Sequence, residues 1–253
     1  MAGSLALWGR IIANPFVGYA QVKKDTKVAG PLVCLLVLVA ATTTLMLPIT
    51  RSEEYAAASL RLQQEQLRKL GVAPDASQLE AMRTQMESPA ARALAIVFAY
   101  LGGLLGYIGT LLVVAALMRL LVVAARGTTT LGLLYRVLVF AGIVTMVQGL
   151  LKAGIVLAGD WRSALGQVRS ARDLGTAIQA SLSLTLLIPA ASLGRFGSVL
   201  VDGATDVFNL VHYLFIYAGL RSAVGLKRGQ ALVVTIASAV VYLGIAVAIA
   251  LLL

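Results

Sequence analysis

QALVVTIASAVVYLGIAVAIALLL, Gln230–Leu253, contains no Asp, Glu, Lys, Arg or His. A helix over this stretch rises about 36 Å, more than the ~30 Å hydrocarbon core of a bilayer. It reads as a membrane span, and similar tracts recur upstream. A hydrophobic fraction of 59% with only 13% charged residues places the whole chain outside the soluble globular range. The fold class expected is all-α: a polytopic helical bundle forming one membrane domain.

The net charge of +10 does not point to nucleic acid, because the basic residues stand singly or in small groups between apolar tracts. Membrane orientation accounts for them better. Cys34 is the only cysteine and His212 the only histidine, so no intrachain disulfide and no Cys/His zinc site is expected, nor any cofactor. Met1–Leu7 lack the basic start of a cleaved secretory signal, so the first apolar tract is expected to be retained.

That tract, about 30–49, follows a lead segment, 1–29. Trp8, Ile11, Ile12, Phe16, Tyr19 and Val22 recur there at helical steps, with Arg10, Lys23 and Lys24 between them. The spacing predicts an amphipathic helix broken near Asn14-Pro15. It either lies in the inner headgroup layer or packs on the bundle. After the first span comes a polar insert, 50–91, predicted to be a helical hairpin. Gly71-Val72-Ala73-Pro74 ends its first helix, and Asp75 with Gln78 caps the second. Its apolar stripes, Tyr55/Leu62/Leu70 and Leu79/Met82/Met86, either pack together or receive a partner.

Further spans are expected at about 93–118, 133–158 and 205–220, before the last at 230–253. Gly102, Gly106 and Gly109 give the second span a small-residue face that permits close helix contact, within the bundle or between copies. The tract 176–201 is ambiguous. Pro189, Gly194, Arg195 and Gly197 interrupt it, which leaves too short an apolar run to cross.

Charge arbitrates. If 176–201 does not cross, Arg10, Lys23, Lys24 and Lys27 share a side with Arg119, Arg126 and Arg136, and with Arg221, Lys227 and Arg228. The hairpin, in which acidic and basic residues nearly balance, falls on the other side. Under the positive-inside rule this gives five spans, N-terminus in and C-terminus out, with 176–201 an outer interfacial or re-entrant element.

In the fourth span Asp202, Asp206, Asn209 and His212 follow at steps of four, three and three. Such groups must face protein or water, since hydrocarbon leaves them unsatisfied at a cost of several kcal/mol. Two uses fit: a proton- or cation-linked pathway, or hydrogen bonding that fixes the bundle, with Gln148, Lys152 or Arg195 as partners. No GxSxG, HExxH or GxxxxGK[ST] pattern supports an enzyme.

Asp206-Val207-Phe208-Asn209-Leu210-Val211 and Ala218-Gly219-Leu220 resemble the Asp-x-Phe…Gly-Leu signature of bacterial Yip-one domain proteins, a family of five-span membrane proteins. The start Ile11-Ile12-Ala13-Asn14-Pro15-Phe16, the threonine-led third span from Thr130 and the Lys227-Arg228-Gly229-Gln230-Ala231 lead into the last are similar to the family as well. The resemblance implies a non-enzymatic protein of the bacterial inner membrane, whose partners are lipids and membrane proteins. Eukaryotic relatives bind small GTPases, and some bacterial relatives accompany ABC-type exporters. The leading expectation is therefore a membrane scaffold or accessory subunit. Its rivals are a transporter using Asp206, Asn209 and His212, and a lipid-handling protein with a groove at the outer element.

Overall fold

The computed structural model describes residues 2–69, 71, 75–168, 174, 183, 197 and 200–252, and those residues form helices without a strand. In chain order the helices are α1 (Ala2–Ala13), α2 (Pro15–Tyr19), α3 (Ala29–Thr50), α4 (Glu53–Lys69), α5 (Ala76–Glu87), α6 (Pro89–Ala124), α7 (Leu131–Ala158), α8 (Trp161–Gly166), α9 (Val207–Ser222) and α10 (Arg228–Leu252). Four of them, α3, α6, α7 and α10, are long and apolar enough to cross a membrane. α9 has 16 residues and rises only about 24 Å. The expected fourth span at 205–220 is therefore interrupted: residues 200–205 are helical, Asp206 is extended, and α9 starts beyond it. Most of the tract 176–201 lies outside the described residues.

The chain divides into two compact units. The first contains residues 1–39, 105–149 and 181–252. Its core draws Trp8, Ile11 and Tyr19 from α1 and α2, Met118 from α6, Phe140 from α7 and Ile216 from α9. α1 and α2 form a tight V. Asn14 caps α2 by accepting from the Val17 amide at 3.3 Å, and Pro15 starts the helix where its missing N–H costs nothing. Gly18 closes the V: a Cβ there would sit 2.6 Å from the Ile11 backbone.

α6 starts before the expected 93, because Ser88 caps it at Pro89, and it continues beyond the expected membrane-embedded part, which ends at 118, to run 36 residues. It stops at Ala124, where Arg126 takes the left-handed conformation (φ 58°). The Gly127 amide then donates to Val122 at 2.8 Å and the Arg126 amide to Val123 at 2.9 Å. These two bonds make a Schellman stop. Glycine is needed at 127 for space, since a Cβ there would meet Leu226 and Val122. The Gln230 side chain donates to the Ala125 carbonyl at 2.8 Å, and Arg221 to the Leu226 carbonyl at 2.7 Å.

α7 and α9 run antiparallel and meet at three points. Gln148 meets Asp206, Ala141 meets His212, and Val137 packs where a Gly219 side chain would stand. As the numbers rise on one helix they fall on the other.

The second unit contains residues 40–104 and 150–180. Its core is Ile49, Ala58, Val156, Leu165 and Val168, with Tyr55 and Leu62 packed against it. Arg61 donates to the Gly166 carbonyl at 3.2 Å, so α4 is fastened to the end of α8. α5 has the expected capping box: Asp75 accepts from the Gln78 amide at 2.8 Å and the Gln78 side chain accepts from the Asp75 amide at 3.1 Å. Hydrogen bonds from Ser77 and Gln78 hold the Asp75 carboxyl below its ordinary range.

Candidate functional site

The polar face foreseen on the fourth span is assembled around Asp206, which is completely buried. Its two carboxylate oxygens do different work. Oδ1 accepts the Phe208 amide at 2.9 Å and so caps α9, where a negative charge also suits the helix dipole. Oδ2 accepts the Gln148 side-chain amide at 2.8 Å across to α7. The same Gln148 nitrogen reaches the Asn209 oxygen at 3.4 Å, and Asn209 donates to the Gly203 carbonyl at 3.1 Å. One carboxylate therefore ends one helix, joins a second and shares its partner with a neighbouring amide.

The other two expected members take different partners. Asp202 accepts from the Ser183 hydroxyl at 2.8 Å. Across the break, the Asp206 amide still donates to the Asp202 carbonyl at 3.1 Å. The His212 ring nitrogen Nδ1 lies 3.3 Å from the Ala141 carbonyl, two helical turns along α7 from Gln148. Asp206 and Asn209 thus converge on Gln148, while Asp202 and His212 lie to either side. Gly203 lets α10 come close, because a Cβ there would strike Leu243. Among the described residues no cluster of three or more His, Cys, Asp or Glu side chains is arranged to hold a metal ion.

A second seam was not foreseen. The Trp8 indole donates to the Phe140 carbonyl at 3.0 Å and the Tyr19 hydroxyl to the Val137 carbonyl at 3.0 Å. Both acceptors are on α7. Thr145 donates to the Gly142 carbonyl at 2.9 Å, so with Ala141 four carbonyls between 137 and 142 receive side chains. The apolar spacing of Trp8, Ile11 and Tyr19 was legible, but the polar tips of Trp8 and Tyr19 bond backbone atoms, which no sequence pattern marks. Burial pushes the Tyr19 phenol well above its ordinary value, so it remains a neutral donor.

The other sequence candidates divide. Tyr55 and Leu62 pack toward Ile49, Val156 and Leu165 rather than serving only as one side of a hairpin seam. Leu70 and the side chains of Leu79, Met82 and Met86 lie outside the described residues, as does Arg195. A Cβ added at Gly102, Gly106 or Gly109 would meet nothing within 4 Å, so those glycines enclose no close contact among the described residues.

The family model of the Yip1 domain matches residues 9–250, nearly the whole chain. No curated protein and no solved structure matches.

Proposed function

The chain belongs to the Yip1 domain family and is an integral membrane protein, and from that premise we propose that it is a non-enzymatic scaffold or accessory subunit of a membrane complex. It crosses five times, with α1 and α2 at the cytoplasmic face and α4 and α5 outside. Its membrane is the bacterial cytoplasmic membrane, and an ABC-type exporter is the partner class to test first.

One observation carries this reading. Asp206 is fully enclosed and holds Gln148 and the start of α9, so the strongest polar group of the candidate face acts as a strut between helices. Hydrogen bonds of this kind align helices in lipid, where unsatisfied groups are expensive. A conduit would instead need its carboxylate open to water or to a mobile ion. Two further features support five spans. α9 runs antiparallel to α7, which fits a connection that leaves and returns on one side. α9 with the helical residues 200–205 also reaches about 34 Å, enough to cross.

Co-purification from native membranes, comparing the full chain with one lacking residues 52–87, tests the scaffold role. Loss of membrane-protein partners on deletion is expected, and an unchanged partner set overturns the hairpin as the contact surface.

A further inference from the structure

α1 carries two apolar faces, and among the described residues one is buried and the other is largely exposed. Trp8 and Ile11 are buried against the bundle. Leu5 and Ile12 lie seven residues apart on one line about 50° around the helix from Trp8, and they are 39% and 50% exposed. Phe16 and Val17 on α2 are exposed as well, at 43% and 57%. Phe16 also rests edge-on against Tyr217 of α9, with ring centres 6.0 Å apart.

The position of this face is fixed by contacts to three helices. Ser4 and Leu5 lie against Gly30, in the first turn of α3. Trp8 and Tyr19 reach α7 at Phe140 and Val137, about 9–14 Å from its start at Leu131. Tyr217 is in the last turns of α9. All three contacts put the V of α1 and α2 toward the start of α3 and α7 and the end of α9.

The remaining edge is basic. Arg10 stands about 150° around α1 from the Leu5–Ile12 line, and its guanidinium donates to the Gln21 side chain at 3.0 Å. That bond ties Arg10 to the loop bearing Lys23 and Lys24, both exposed, which is folded by the Thr26 hydroxyl accepting the Lys23 amide at 2.7 Å. Arg136 then fixes the loop to α7 by donating to the Thr26 carbonyl at 2.9 Å. From Arg10 to Lys27 four cations face one carboxylate, Asp25.

We propose that the V of α1 and α2 is a binding site for anionic phospholipid: Leu5, Ile12, Phe16 and Val17 enter the acyl region while Arg10, Lys23 and Lys24 hold the headgroup phosphates. The apolar face gives insertion and the basic edge gives selection, because each Lys or Arg near an anionic surface contributes independently of shape. The site requires only that the chain be embedded. It stands whichever side of the membrane α1 occupies and whichever protein the chain accompanies.

The test uses the full chain with Cys34→Ser and Val17→Cys, labelled with an environment-sensitive fluorophore. It is reconstituted into vesicles of phosphatidylcholine and phosphatidylglycerol at about 3:1, with doxyl-labelled forms of each lipid added in turn at equal mole fraction. Doxyl phosphatidylglycerol should quench about threefold more strongly than doxyl phosphatidylcholine. The ratio should approach one when Arg10, Lys23 and Lys24 are all changed to Gln, rise with Asp25→Asn, and stay near one for a label at the exposed Phe98. Quenching that is absent from position 17 shows the face to be outside lipid and overturns the proposal. Equal quenching by the two lipids, unmoved by either charge change, leaves insertion without selection and also overturns it.

Discussion

At the scale of single residues, Asp206 illustrates how one buried carboxylate serves two helices. Asp206→Ala leaves the Phe208 N–H without its capping acceptor and the Gln148 amide with only the longer contact to Asn209. Unfolding in mixed micelles should register a loss of about 1–3 kcal/mol. Asp206→Asn keeps one acceptor oxygen, enough for the Phe208 amide, and should cost less. Coupling between Asp206→Ala and Gln148→Leu in a double-mutant cycle should be about 0.6 kcal/mol, the average for interhelical bonds in membranes, and no more than ~1.7 kcal/mol. A zero coupling, together with a proton flux that Asp206→Asn abolishes in proteoliposomes, would replace the strut by a pathway. The sequence made this face visible because helical spacing and the expense of polar groups in lipid both act on Asp206 and Asn209. It did not reveal that Asp206 interrupts the helix. The i to i+4 bonds continue across the break, from the Asp206 amide to Asp202 and from the Leu210 amide to Asp206, so hydrophobic periodicity carries no trace of it.

At the scale of elements, the helix ends separate what local sequence controls from what packing controls. Asp75 with Gln78 and Asn14 with Pro15 were readable because a cap is a bond between near neighbours. The stop of α6 was less readable. The glycine at 127 suggests the left-handed position, yet Arg126 occupies it, and 127 stands where a Cβ would meet Leu226 and Val122. An L-residue held at positive φ is strained by roughly 1 kcal/mol, which glycine relieves. Arg126→Gly should therefore stabilise the fold by up to about 1 kcal/mol, while Gly127→Ala should destabilise it by forcing Leu226 aside. Unfolding of the two variants in detergent checks the pair, and stabilisation by Gly127→Ala would overturn this account of the turn. The hairpin shows a similar division. Its helices follow from capping and turn residues, but the covering of Tyr55 and Leu62 by Val156 and Leu165 joins segments about 100 positions apart, beyond the reach of any local pattern.

At the scale of the whole molecule, everything depends on whether the connection between α8 and α9 crosses the bilayer. Length and hydropathy identify α3, α6, α7 and α10, whereas α9 falls short of an ordinary span because Asp206 cuts its first turns away. Charge supplies the missing step, since only a non-crossing connection keeps Lys227 and Arg228 with Lys23, Lys24 and Arg126. Antiparallel contact between α7 and α9 argues the same way from geometry. In a Cys34→Ser background, single cysteines at Gly71, Thr128 and Lys227 should therefore divide in intact cells. A membrane-impermeant maleimide should label position 71 and leave 128 and 227 unlabelled until the membrane is opened. Labelling at both 71 and 227 from outside would require the connection to cross. It would then reverse α9 relative to α7, and the Gln148–Asp206 and Ala141–His212 contacts could not both form, because reversing one helix inverts their order. The accessibility of residue 227 therefore tests the topology and the integrity of the buried site in one measurement.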